Sequence, residues 1–296
     1  MTRALEVLRT GLSVLVEDEG RPGHAAVGVG RSGAADRGAY RLGARIAGHG
    51  DGRAALEVLL GGLVVRARDR LTVVVTGAPA PATVDDRPVA VATLVDVPDG
   101  SVLSLGMPAT GLRSYLTVRG GIEVDAVLGS RSTDTLSGLG PAPVAAGEVL
   151  PVGAPGPRFP TTDHAPLPSS AAGDVAELAV LPGPRSAWVG GWGGSLGGLL
   201  GPTWHVTGDS DRVGLRLGGS RVQRAAGWPD VELPSEGLVR GAVQVPPGGE
   251  PVVFLADHPV TGGYPVVAVL TASACDRAAQ LRPGDAVRLT ARSARG

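Results

Sequence analysis

Short apolar runs, separated by Gly- and Pro-rich turns, recur along the whole chain. In the first half they fall at Ala4–Leu8, Leu12–Val16, Leu56–Val65, Leu71–Val75, Val89–Val97, Val102–Leu105 and Leu112–Val118. In the second half they fall at Ala176–Leu181, Trp204–Val206, Val213–Leu217, Leu238–Val245, Pro251–Leu255, Val266–Thr271 and Ala286–Thr290. Val-rich runs of this length bounded by turn residues read as strands. Their close spacing favours a sandwich or barrel over a parallel α/β sheet. Two segments, Ala34–Ala47 and Ala272–Leu281, have helical character. The stretch 152–174, VGAPGPRFPTTDHAPLPSSAAGD, shows neither period and reads as a linker. It separates an N-terminal β-rich domain, 1–151, from a C-terminal one, 175–296.

The most informative stretch is Pro234–Pro265. Leu238–Val245 and Pro251–Ala256 flank the turn Pro247-Gly248-Gly249, which predicts a hairpin. Ser235 and Glu236 precede it, and Asp257, His258, Thr261 and Tyr264 follow it. Carboxylates, hydroxyls and glycines at strand ends are what a small-molecule site on a β scaffold requires.

Composition narrows the chemistry. Apolar residues make up 43% of the 296, enough for a core, while aromatics are only 3%, so Val, Leu and Ala must fill it. Net charge is −1 without a basic stripe, which argues against nucleic acid as a partner. No apolar run approaches the length of a membrane span. The N-terminus lacks a signal-peptide core, and Cys275 stands alone; together these predict a cytoplasmic protein. All 27 cationic side chains are Arg. A Walker lysine, a Schiff-base lysine and a biotinyl-lysine are therefore excluded from this chain. Proton transfer falls to Asp, Glu, His, Tyr or water, since Arg stays protonated.

Gly28-Val29-Gly30-Arg31-Ser32-Gly33 matches a dinucleotide fingerprint, but only Ala25–Val27 precedes it and no βαβ alternation follows. Gly193-Gly194-Ser195-Leu196-Gly197 matches a nucleophile elbow, yet glycines surround it where a strand and a helix are needed. The five histidines show no metal-ligand spacing, so no metal is expected. Asp18-Glu19-Gly20-Arg21 and Ser32-Gly33-Ala34-Ala35-Asp36 are denser in polar groups than turns require. Ser32 or a neighbour is expected to cap the following helix, with Asp36 in its first turn. Ser130-Arg131-Ser132-Thr133-Asp134 offers hydroxyls and one Arg fork for a carboxylate or phosphate. Ser210-Asp211-Arg212 has a similar make-up.

Ten segments, in order, carry a resemblance over nearly the whole chain. They are EDEGRPG (17–23), GVGRSGAADRGA (28–39), LE (56–57), RSYLTVRGGI (113–122), LGSRSTD (128–134), LPGP (181–184), SDRVGLRLGG (210–219), PSEGLVRGAVQVP (234–246), ADHPVTGGYP (256–265) and AQLRPGD (279–285). The chain resembles the family of the prokaryotic 5-oxoprolinase C subunit, also labelled Kip-inhibitor antagonist and allophanate hydrolase subunit 2. It is similar, too, to the carboxyltransferase domain of urea carboxylase. The resemblance implies a cyclophilin-like fold. With the strand pattern, this predicts a mainly β protein: two β-rich cyclophilin-like barrel domains with a few short helices.

It also implies a complex with two further chains. One is the B subunit, which is Kip-inhibitor-like and similar to allophanate hydrolase subunit 1; the other is the A subunit. The implied activity is ATP-dependent opening of 5-oxo-L-proline to L-glutamate, with ATP used by the complex. On this reading Asp36, Glu236 and Asp257 transfer or orient protons, and Arg131 and Arg212 hold anionic groups. Asp18, Arg21, Ser32, Ser132, Thr133, Gln244, Thr261, Gly262, Gly263 and Tyr264 complete the substrate site. The alternatives are carboxyl transfer with biotin on a separate carrier, and a non-catalytic regulatory partner of the B subunit. The chain departs from the family at Glu17, Ala44, His49, Pro141-Ala142 and Pro259; amide side chains are usual at Glu17, Ala44, His49 and Pro259.

Overall fold

The computed structural model of the chain describes residues 3–50, 52–157, 162–167, 173–192, 196–228 and 233–292. It resolves into two compact units: Met1–Pro22 with Ser32–Ala172, and Gly23–Arg31 with Gly173–Gly296.

The first unit contains β1 (Ala4–Arg9), β2 (Ser13–Glu17), α1 (Arg37–Ile46), β3 (Ala55–Leu59), β4 (Val64–Arg68), β5 (Leu71–Gly77), β6 (Ala82–Val84), β7 (Arg87–Val89), β8 (Val95–Val97), β9 (Val102–Leu105), β10 (Arg113–Val118) and β11 (Val149–Pro151). They form a six-stranded sheet, β11-β1-β4-β9-β6-β7, and a five-stranded sheet, β2-β3-β10-β5-β8. The main core draws Val7, Val65 and Leu103 from the first sheet and Val16, Val58, Val75 and Leu116 from the second, so the sheets face each other across it. The β-rich expectation holds, with this unit built as two facing sheets. The apolar run Leu56–Val65 is split into two strands by a turn in which Leu60, Gly61 and Gly62 all take positive φ.

Every residue of β10 is buried. One face meets the core, and the other meets α1 through Tyr40 and Tyr115. The helix approaches closely because Gly43 has no side chain: a Cβ there would lie 2.5 Å from Thr117 Oγ1. The described part of the stretch 152–174 also packs on this unit. Ala165 N donates to Ala92 O at 2.9 Å, and Ala165 and Leu167 cover Ile46, Ala47 and Val74.

The second unit contains β12 (Ala176–Pro182), β13 (Trp204–Val206), β14 (Gly214–Gly218), β15 (Glu236–Gly237), β16 (Ala242–Gln244), β17 (Val252–Phe254), β18 (Thr261–Gly262), β19 (Val266–Leu270), α2 (Ala272–Ala278) and β20 (Ala286–Ala291). Seven strands close into a barrel in the order β12-β19-β16-β17-β14-β13-β20. The predicted hairpin is present, with Val243 opposite Val253. Its first arm is shorter than the apolar run, because Gly241 holds φ +88° and a Cβ there would lie 2.7 Å from Cys275 Sγ. The chain before it pairs instead as the two-stranded β15–β18 ribbon.

Ala25–Val27 is a 3-10 turn ended by Gly28 at φ +81°, so no strand leads into the glycine-rich match at 28–33. Residues 193–195 of the other glycine motif lie outside the described residues. Among the described residues no helix is long and apolar enough to cross a membrane.

Candidate functional site

In the first unit the polar groups converge on Asp18, which leaves the end of β2. It is buried. Its Oδ1 accepts from Ser130 Oγ and Ser132 Oγ, both at 2.6 Å, and from Gly20 N at 2.7 Å. Its Oδ2 accepts from Arg131 N at 2.7 Å, and its own N donates to Ser132 Oγ at 2.9 Å. The consequence is mechanical: Asp18 fixes the loop 18–21 against the loop 130–134.

Neighbouring groups tighten the same knot. Ser32 holds φ +53° and donates from Oγ to Thr133 O at 3.2 Å. Thr133 Oγ1 donates to Pro141 O at 3.0 Å. Gly33, at φ +95°, lies where a Cβ would come 2.8 Å from Gly20 N. Arg21 is buried, and its Nη2 donates to Ser132 O. Arg131 is anchored through Nε to Val124 O at 2.7 Å. Its two terminal nitrogens have no partner among the described residues. Glu19 and Arg41 form a bidentate pair, both contacts at 2.7 Å, which ties the loop to α1.

A second layer lies under the start of α1. Asp36 is its N-cap and accepts from Ala39 N at 2.9 Å; the cap is thus the residue expected in the first turn, while Ser32, expected with its neighbours to cap, sits in the preceding loop. Tyr115 OH accepts Asp36 N–H at 2.8 Å and donates to Glu57 Oε2 at 2.7 Å. Glu57 Oε2 also accepts Ala35 N–H at 3.0 Å, and Glu57 Oε1 lies 3.3 Å from Arg113 Nε. Burial, with Glu57 and Asp36 beside it, pushes the Tyr115 phenol well above its usual pKa.

In the second unit, Glu236 opens β15 opposite Gly262. Arg185 donates to it from Nε at 3.1 Å and from Nη2, and that hydrogen bonding holds the Glu236 carboxyl below its ordinary pKa. Gln244, buried at the end of β16, donates from Nε2 to Tyr264 O at 2.8 Å. Gly262 lies so close that a Cβ would come 2.8 Å from that nitrogen. Thr261 and Gly263 are exposed, and Tyr264 is half-exposed. These residues make an accessible wall with one buried amide behind it.

Arg212 and Asp257 form a separate buried pair, Nε to Oδ2 at 2.8 Å and Nη2 to Oδ1 at 3.2 Å. Gln244 stands opposite Val252, so Asp257 leaves β17 at the end away from Gln244. Two of the expected groups are therefore compact: Asp18, Arg21, Ser32, Asp36, Arg131, Ser132 and Thr133 in the first unit, and Glu236, Gln244, Thr261, Gly262, Gly263 and Tyr264 in the second. The sequence reading missed Glu57, Arg113, Tyr115 and Arg185. For Glu57 and Arg113 the signal was there, a charge set within or at the edge of an apolar run; Arg185 has no such mark.

Two sheets, a closed barrel and these polar loops match an established domain class: a family model for the carboxyltransferase domain, subdomains A and B, covers residues 27–291, and the chain belongs to that family. Among curated proteins it is similar to the 5-oxoprolinase C subunit of Escherichia coli K12, at 32% identity over 96% of this chain and 89% of that protein. It is also similar to the urea amidolyase of Lachancea kluyveri, at 29% identity over 96% of this chain but 17% of that protein. The solved urea carboxylase of Kluyveromyces lactis superposes with a TM-score of 0.89 at 28% identity, over 99% of this chain and 28% of that one. The chain thus spans most of the bacterial relative and a minor part of the fungal ones.

Proposed function

We propose that this chain is the C subunit of a 5-oxoprolinase complex that opens 5-oxo-L-proline to L-glutamate at the expense of ATP, working with an A and a B subunit in the cytoplasm. The observation that carries the reading is the nearly end-to-end match to a bacterial protein named as a 5-oxoprolinase C subunit. The geometry is compatible with it. 5-Oxoproline is a small anion with a lactam, and it needs a cation for its carboxylate and a polar group for its amide. Arg131 offers guanidinium nitrogens that have no partner among the described residues, and the Gln244–Gly262–Tyr264 wall offers polar groups. ATP supplies the activation that a resonance-stabilised amide needs before water can attack.

Within this proposal the three acids divide their work. Glu236 is partly exposed and kept ionised by Arg185, so it is placed to accept a proton from water. Asp36 and Asp257 are positioning residues, the first through the start of α1 and the second through Arg212, which the substrate does not need to touch. Reconstitution with the A and B subunits, followed by glutamate release from 5-oxoproline with and without ATP, tests the function. No ATP-dependent release from a well-folded ternary mixture refutes it.

The family match favours a second reading, carboxyl transfer. Having no lysine, this chain would take carboxybiotin from a separate carrier. Product formation dependent on bicarbonate and on a biotinylated chain selects that reading over the first.

A further inference from the structure

Away from the loops above, one turn of the first unit gathers basic side chains. Gly120 and Gly121 both hold positive φ, +119° and +77°, and four basic side chains close on them. His49, just beyond α1, accepts Gly120 N–H at Nε2, 2.9 Å away. Arg53 donates from Nη1 to Gly120 O and, at 3.3 Å, to Ala154 O. Arg3 donates to Gly153 O at 2.6 Å and to Arg119 O at 3.2 Å. Arg119 donates from Nη2 to Gly156 O at 3.3 Å. The acceptors of Arg3 and Arg53 are all backbone carbonyls, and neither side chain pairs with a carboxylate among the described residues.

The imidazole sharpens the picture. Because Nε2 accepts an N–H, it carries no proton, and the proton of the neutral ring sits on Nδ1. That Nδ1–H is buried and has no partner among the described residues. Burial, and after it Arg53 and Arg119, lower the His49 pKa to about 4, so the ring is neutral near pH 7. Among the described residues, the other titratable groups at the turn are Glu123, whose carboxylate lies against Gly153, and Tyr40, whose hydroxyl donates to Arg53 O at 2.7 Å. Among the described residues, one acid thus stands beside the guanidiniums of Arg3 and Arg53. Gathered like charges raise the energy of the turn, and a bound anion lowers it. Guanidinium forks fit a tetrahedral oxyanion better than a point charge does. Arg53 is itself half-buried, and its bond to Ala154 O lies at the surface, so part of its fork meets solvent.

We propose that the Gly120–Gly121 turn binds an oxyanion of the phosphate class, held by Arg53 and Arg3 and by the Nδ1–H of His49. This inference stands independently of the activity proposed above. Its source is either free inorganic phosphate or a phosphoryl group of a nucleotide.

The test is a titration of the histidine ring NMR signals with inorganic phosphate, and in a second arm with ATP, at constant ionic strength set by chloride. His49→Gln assigns the signal. A saturable shift at His49, with its pKa raised as an anion favours the imidazolium, is the expected result. Arg53→Gln weakens that binding by about tenfold or more, and Arg53→Lys, which keeps charge but loses the fork, weakens it partly. Arg3→Gln serves if the Arg53 variants do not fold by far-UV circular dichroism. Tighter binding of ATP than of phosphate assigns the nucleotide as the source, and the reverse assigns the free ion. No saturable shift in either arm overturns the proposal. So does a shift that chloride alone reproduces, or one that is unchanged in the Arg variants.

Discussion

Tyr115 offers a sharp test of how the start of α1 is held. Its ring is fully buried, and one oxygen both donates to Glu57 and accepts from Asp36 N–H. Tyr115→Phe removes only that oxygen. A hydrogen bond to a charged acceptor contributes about 1.5–3 kcal/mol, and an interior N–H left without a partner costs about 1–3 kcal/mol. Some relaxation around the lost atom reduces the sum, so we expect the first unit to lose about 3 kcal/mol. The assay is urea denaturation followed by circular dichroism and by tryptophan fluorescence. All four tryptophans, Trp188, Trp192, Trp204 and Trp228, belong to the second unit, so comparing the probes separates the transitions. A midpoint shift worth under about 0.5 kcal/mol with an unchanged slope refutes the reasoning. The pH dependence supplies a second check. The folded-state pKa is raised, so the protonated phenol's contribution is complete below the unfolded value of about 10 and is lost as pH rises above it. The stability gap between wild type and variant therefore shrinks above about pH 10; a widening gap contradicts the assignment.

Asp257→Ala removes the bidentate carboxylate partner of the buried Arg212 and should destabilise the second unit by about 3–5 kcal/mol by tryptophan-monitored denaturation, while Arg212→Met with Asp257→Leu costs much less than the two single changes together. Gly33→Ala forces a side chain into φ +95° and against Gly20 N; a stability loss of about 1–3 kcal/mol is expected in chemical denaturation. Gly262→Ala sets a methyl 2.8 Å from Gln244 Nε2 and Leu238 Cδ1 without positive φ. It should lower turnover by the reconstituted complex about tenfold or more while thermal melting moves little.

Much of the scaffold was legible because a strand shows itself locally. Val102–Leu105 and Trp204–Val206 occupy the residues that the apolar pattern marked, and both helices fall inside their expected segments. The failures have local causes that composition hides: Leu60 at φ +53° within an apolar run, and Gly241 packed on Cys275. The site was legible only in part. The density of polar residues at 18–36 and 130–134 marked the knot around Asp18. The partners that define each role lie far off in sequence: Tyr115 is 79 residues from Asp36, and Arg185 is 51 residues from Glu236. No pattern along the chain states which of many acids meets which arginine. Asp257, alone among turn residues on paper, is half of a bidentate pair in space.

The barrel is fastened by its first and last strands. β12 and β20 lie parallel, with Ala176 beside Val287 and Val180 beside Ala291, and the strands between them arrive in an order far from sequential. During synthesis the ribosome delivers β12 long before its mate, so the ring cannot shut until nearly all of the second unit has emerged. Until then β12 presents an unzipped edge, an adhesive surface for any neighbouring nascent chain.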